Sequence, residues 1–266
     1  MSDTARIAEP RAVTAKPETH ARGTTVGEYI ESLLVTIILA LFGTTFVVQA
    51  FKIPSQSMEP TLLVGDHLLV NKFIFGGRGH VYDAFLPYRA VRRGDVIVFK
   101  FPFQDHPHYV KRVVGLPGDR IKIVEQKVYV NGQLLNEPYA YHDPTAPYDP
   151  FLYNFPPASR DDLLSNMQPE WAEDIFNYIH NGEITVPPNK YFAMGDNRDH
   201  SWDSRYWGFV DREAIMGRPV VIYWSIKGDE SEYADDSLTG RIQSILSALI
   251  HLPSEARWGR MMRLVH

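Results

Sequence analysis

Ser55 and Ser57, one residue apart in IPSQSMEPTLL (53–63), are the first side chains here whose type and spacing could do covalent chemistry. A serine hydroxyl becomes a nucleophile only when a base takes its proton. The chain has 10 histidines, none in a recognisable triad pattern. The other option is a lysine kept from water, and HYVKRVVG holds one: Lys111 lies among Tyr109, Val110, Val113 and Val114. Burial among such neighbours disfavours the charged amine and lowers its pKa. Plainer readings stand beside these: paired serines can serve a turn, and a strand lysine can carry its head into water.

A third cluster is MGDNRDHSWDSRYWGF (194–209), with Asp196, Asn197, Arg198, Asp199, Ser201, Asp203, Ser204 and Arg205 set among Trp202, Tyr206 and Trp207. It reads either as a surface loop or as a polar network, half-buried among aromatics, that scaffolds a site. Other signatures are missing. The sequence has no H-E-x-x-H, no phosphate-cradling G-x-x-x-x-G-K-[ST] and no G-x-S-x-G elbow. FGGRGH and GLPGD lack the strand–glycine–helix context and read as turns. His106-Pro107-His108 could hold a metal but reads more simply as a solvated loop. The absence of cysteine excludes disulfides, thiolate metal sites and a cysteine nucleophile. A net charge of −5 argues against a nucleic-acid partner.

The elements that must position these residues follow from patterning. Residues 1–31 form a polar tail of mixed charge. SLLVTIILALFGTTFVVQAF (32–51) carries no charge, and as a helix it would reach about 30 Å, the thickness of the hydrocarbon core. That predicts a retained transmembrane anchor, since the tail and the length of the apolar run differ from a cleaved signal peptide. Arg11, Lys16 and Arg22 precede the span and Lys52 alone follows closely, so the N-terminus is expected in the cytoplasm and the rest outside. Residues 52–228 read as one mostly antiparallel β domain, from DHLLVNKF, GDVIVFKF, HYVKRVVG and RIKIVEQKVYVNG through EITVPPNKYFAMGD to GRPVVIYWSI. VYVNGQLL carries an Asn-Gly hairpin signal.

An insertion is expected at about 132–184, opening with the Pro-, Tyr- and Asp-rich NEPYAYHDPTAPYDPFLY. Its PEWAEDIFNYIHNGE predicts a short amphipathic helix, with Pro169 in the first turn, Trp171, Ile175 and Ile179 on one face, and Gly182 as its stop. Residues 229–266 read as an acidic linker and an amphipathic segment, apolar at Ile242, Ile245, Leu246, Leu249 and Ile250. That segment either docks on the domain or lies on the membrane surface.

IPSQSMEPTLL, YVKRVVGLPGD and GDNRDHSWDSRYWGF, in that order after one apolar span, resemble the type I (bacterial leader) signal peptidases. The resemblance covers most of residues 50–226, including VPPNKYFAMGDNRD and IYWS. It implies a mainly β catalytic domain with an inserted cap, and a Ser/Lys dyad with no metal or other cofactor. Carried over, Ser57 matches the nucleophile and Lys111 the general base. Ser55, with the Ser57 N–H, matches the oxyanion donors, and Ser201 the hydroxyl that orients the lysine. Asp203 and Arg205 match a supporting ion pair, with Asp196 and Arg198 as further scaffold. Phe51, Ile53, Met58, Leu62, Tyr109 and Val110 are implied to line shallow apolar substrate pockets. The implied protein is a monomeric serine endopeptidase of the bacterial inner membrane, catalytic side outward, acting on preprotein signal peptides after small residues at −1 and −3. Two alternatives remain: a self-cleaving Ser/Lys peptidase of the repressor type, which the anchor and insertion oppose, and a non-catalytic membrane-tethered binding module, which would not need Ser57, Lys111 and Ser201 together.

Overall fold

The computed structural model describes residues 26–43, 48–76, 88–101, 108–163, 167–227 and 256–266. The acidic linker and the 242–250 segment lie outside the described residues, as does the tail before 26. Helix α1 (Val26–Phe42) belongs to a unit of its own, residues 1–41, distinct from 42–266. Its Leu33, Leu34, Val35, Ile37, Ile38 and Leu39 are exposed.

The helix predicted over 32–51 therefore does not form as one element. It begins earlier, ends at Phe42, and residues 48–52 are the first strand, β1 (Val48–Lys52). Val48, β-branched, and the aromatic Phe51 suit a pleated strand. Among the described residues, no helix is long and apolar enough to cross a membrane.

The second unit is mainly β. Its strands continue with β2 (Asp66–Asn71), β3 (Val96–Lys100), β4 (His108–Gly115), β5 (Arg120–Val124), β6 (Lys127–Val130) and β7 (Gln133–Leu134). Two short helices follow, α2 (Pro150–Tyr153) and α3 (Pro169–Asp174). Then come β8 (Ile179–His180), β9 (Glu183–Thr185), β10 (Lys190–Met194), α4 (Ser204–Trp207), β11 (Val210–Asp211), β12 (Ile215–Ser225) and β13 (Arg263–Leu264).

All pairings between these strands are antiparallel and give two sheets. One has 8 strands in the order β1-β2-β12-β3-β4-β10-β11, with β13 beside β12, and the other has 5 in the order β7-β6-β5-β9-β8. The second sheet starts at Arg120, ahead of the expected insertion boundary at 132, because β5 and β6 supply the partners for β9 and β7. The β6–β7 hairpin turns at Asn131-Gly132 with φ of 53° and 78°, as Asn-Gly favours.

The helix predicted to run to Gly182 is shorter than expected. Pro169 does open α3, but after Asp174 the chain makes a 3-10 turn and enters the β8–β9 hairpin around Asn181-Gly182. There the β preference of Tyr178 and Ile179 and the second Asn-Gly pair prevail over helical periodicity.

Among the described residues, two cores hold the unit together. The larger is rich in aromatics and includes Phe99, Phe155, Phe192, Trp171 and Trp207. The smaller one gathers Ile53, Met58, Leu62, Leu68, Val70, Val96, Val98, Ile222 and Val265. Met58 and Leu62 tie it to the turn that carries the serines.

Candidate active site

Ser57 sits on a single 3-10 turn, Gln56–Met58, between β1 and β2. Its side chain is drawn inward by its neighbour Met58, which is 1% exposed in the smaller core. Lys111 lies in the middle of β4, whose register puts Ile97 opposite it. In a strand, successive side chains point to opposite faces, so Lys111 and Arg112 need separate partners.

Lys111 is 3% exposed. Its Nζ contacts the Ser57 Oγ at 2.6 Å. Ser55 Oγ lies 3.3 Å from the same oxygen and is itself exposed. Burial lowers the Lys111 amine from 10.5 to about 8; Asp203 opposes this, Arg205 adds to it, and Asp196 again opposes it. As an ammonium Lys111 donates to Ser57. Once neutral, it can accept that hydroxyl's proton across the same contact.

The segment after β10 closes the far side of the dyad. Because β10 pairs with β4, with Ala193 opposite Val113 and Met194 opposite Arg112, the 195–203 loop starts beside the lysine strand. Gly195 allows the closest approach: a Cβ there would collide with the Ser201 side chain and the Ser57 carbonyl. The expected hydrogen bond from Ser201 to Lys111 is not formed. Ser201 is buried against Gly195, and its Oγ has no hydrogen-bond partner among the described residues.

Asp203 and Arg205 form a fully buried pair, with Arg205 Nε on Asp203 Oδ1 and Nη2 on Oδ2, each at 2.9 Å. Asp203 also accepts from the Gly195 N–H at 3.0 Å and caps α4 through the Arg205 N–H. Burial alone would raise the Asp203 carboxyl, but Arg205, the Gly195 amide and Lys111 hold it below its ordinary value. Asp196 is paired elsewhere. It takes Arg112 in a two-pronged contact at 2.8 and 2.7 Å and accepts from Thr61 Oγ1 at 2.6 Å. Arg198 grips Glu137 at 3.0 and 2.6 Å and so ties the loop to the segment after β7.

The residues expected to line substrate pockets divide by depth. Ile53, Met58 and Leu62 are interior side chains of the smaller core, while Phe51 and Val110 are partly buried against it. Tyr109 is partly exposed on the Lys111 face of β4, its ring 5.7 Å from Nζ. His106 and Pro107 lie outside the described residues, and His108 meets the Phe51 ring edge-on at 5.2 Å.

Sequence reasoning missed several supports. Arg112 had a legible signal, since two adjacent charges between valines on a buried strand require two networks. Thr61 and Glu137 had none, because their partners lie more than 50 residues away in the chain; Asn197 was named in the polar cluster, but nothing local gave its partner Gln56, 141 residues away. The same holds for Arg260, whose guanidinium binds the buried Asp66 at 2.6 Å and the Thr61 carbonyl at 2.9 Å. With Val265, it brings the 256–266 segment against the serine turn.

A family model described as signal peptidase, peptidase S26, matches residues 26–224. The signal peptidase I of Pseudomonas aeruginosa is 37% identical over 210 residues, covering 74% of this chain and 72% of that protein. That of Aquifex aeolicus is 34% identical over 260 residues, covering 87% of this chain and 96% of that protein. A crystal structure of a signal peptidase I from Enterococcus faecalis matches 49% of this chain and 97% of that one, with 29% identity and a TM-score of 0.31.

Proposed function

Because this chain belongs to the signal peptidase family, peptidase S26, we propose that it cleaves signal peptides from preproteins, with Ser57 as nucleophile and Lys111 as general base. The observation that carries this is the buried 2.6 Å contact between Lys111 Nζ and Ser57 Oγ. Neutral Lys111 takes the Ser57 proton while Oγ attacks the scissile carbonyl. The developing oxyanion is received by the Ser57 N–H and the Ser55 hydroxyl, a donor type worth roughly 3 kcal/mol of barrier. The Lys111 ammonium then protonates the leaving amine, and water hydrolyses the acyl-enzyme. The Asp203–Arg205 pair braces the 195–205 loop, and Asp196 ties that loop to Arg112 on β4 and to Thr61 just after the serine turn.

In this reading Phe51, Tyr109 and Val110 meet the substrate over a floor of Ile53, Met58 and Leu62. The shallow apolar surface favours Ala or similarly small residues at −1 and −3. The exposed apolar face of α1 supports a membrane anchor, which would place the catalytic unit outside the bacterial inner membrane. Cleavage of a preprotein by the purified protein, set against its Ser57→Ala variant, tests the proposal. Equal cleavage by both, or efficient cleavage after Leu or Phe at −1, would contradict it.

A further inference from the structure

The peptide unit joining Gln56 to Ser57 carries two groups that face opposite ways. Its N–H is the donor that the proposed mechanism aims at the oxyanion. Its C=O points away from that site, because a trans peptide holds the two antiparallel. That carbonyl accepts from the Glu59 N–H at 2.9 Å, which closes the turn. It also accepts from Asn197 Nδ2 at 3.3 Å. The Asn197 backbone N–H donates to the next carbonyl, that of Ser57, at 3.2 Å.

Asn197 is itself held firmly. It is 3% exposed and forms a parallel bridge with Tyr141. Its chain neighbours are locked in the Asp196–Arg112 and Arg198–Glu137 pairs. Its Oδ1 is buried without a hydrogen-bond partner among the described residues, a cost to the fold that orientation toward Gln56 does not relieve. A purely structural position would be better filled by an apolar side chain of the same shape.

We propose that Asn197 is a positioning residue for the oxyanion site: from behind, its side-chain amide fixes and polarises the peptide plane that presents the Ser57 N–H. The inference rests on the Ser57 and Ser55 roles stated above. The Glu59 bond holds the plane from within its own turn. The second donor comes from a different, rigid segment and restrains rotation. A hydrogen bond accepted by an amide carbonyl also strengthens the N–H of the same amide, by about 10–30% per bond.

The test is Asn197→Leu, which keeps the branched shape, removes the donor and also removes the orphaned Oδ1. Cleavage of a fluorogenic signal-peptide substrate should show kcat lowered roughly three- to thirtyfold, between full loss of an oxyanion donor and none. KM should stay within twofold, and the pH midpoint of kcat/KM should not move, because Lys111 is untouched. Affinity for a peptide boronic acid, whose tetrahedral adduct places an oxygen in the same site, should fall in step with kcat/KM. The thermal midpoint should be unchanged or higher. Asn197→Ala should reproduce the kinetic loss and serves if the leucine variant does not fold. The inference is overturned if kcat stays within twofold of the parent, if the loss lies wholly in KM, or if activity and stability fall together in both variants. Ser57→Ala and Ser55→Ala are measured alongside. If those variants cleave normally, the underlying mechanism fails; if they are impaired while Asn197→Leu is not, only this inference fails.

Discussion

Lys111 should set the pH dependence of cleavage, and the structure says where. Only the neutral amine can accept the Ser57 proton, so kcat/KM follows the deprotonated fraction of the free enzyme. With the amine lowered to about 8, roughly a tenth of the molecules are competent at pH 7 and roughly a hundredth at pH 6. An amine at its ordinary 10.5 would leave only about 0.03% competent at pH 7. The profile should therefore rise about tenfold per pH unit through the acid range, bend near pH 8 and level off above it. The assay is kcat/KM for a short signal-peptide substrate in detergent from about pH 5.5 to 10, with enzyme integrity checked at each end. A bend near 6.5 would point to a histidine. A rise that continues to the ordinary lysine value would mean that burial does not tune Lys111. Either result would refute the reasoning.

Lys111→Met should abolish cleavage yet stabilise the fold. The folded-state value lies below the unfolded one, so between about 8 and 10.5 the unfolded chain binds more protons and the parent gains stability as pH rises. The variant's advantage should thus be up to roughly 3 kcal/mol below pH 8 and fade toward pH 10.5, read by urea unfolding across that range. Gly195→Ala drives a methyl group into the Ser57 carbonyl and Ser201, and should cut kcat at least about a hundredfold in a cleavage assay. Arg260→Ala strips the buried Asp66 of its nearer charged partner, leaving Arg257 at 3.9 Å, and should cost up to about 3 kcal/mol in denaturant unfolding.

The fold class was legible in sequence because it rests on local pattern, whereas the pairing of Ser57 with Lys111 came only from the resemblance to the signal peptidases. Alternating valines mark β4, Asn131-Gly132 marks a hairpin, and a lysine set among valines marks an amine that burial will weaken. Local pattern failed where two local preferences competed. The uncharged run 32–51 suits a helix by hydropathy, yet its last four residues, Val48 to Phe51, pair as part of β1. The periodicity at 171–179 gave way to the β8–β9 hairpin.

What only tertiary structure decided is which polar groups meet. Asp196 was expected to scaffold the site, but its partner Arg112 stands 84 residues away, and the Ser201 hydroxyl expected on the lysine turns instead toward Gly195. Asp66 finds Arg260 across 194 residues. A buried charge is tolerated only beside its complement, and which complement arrives depends on how strands distant in the chain are ordered in the sheet.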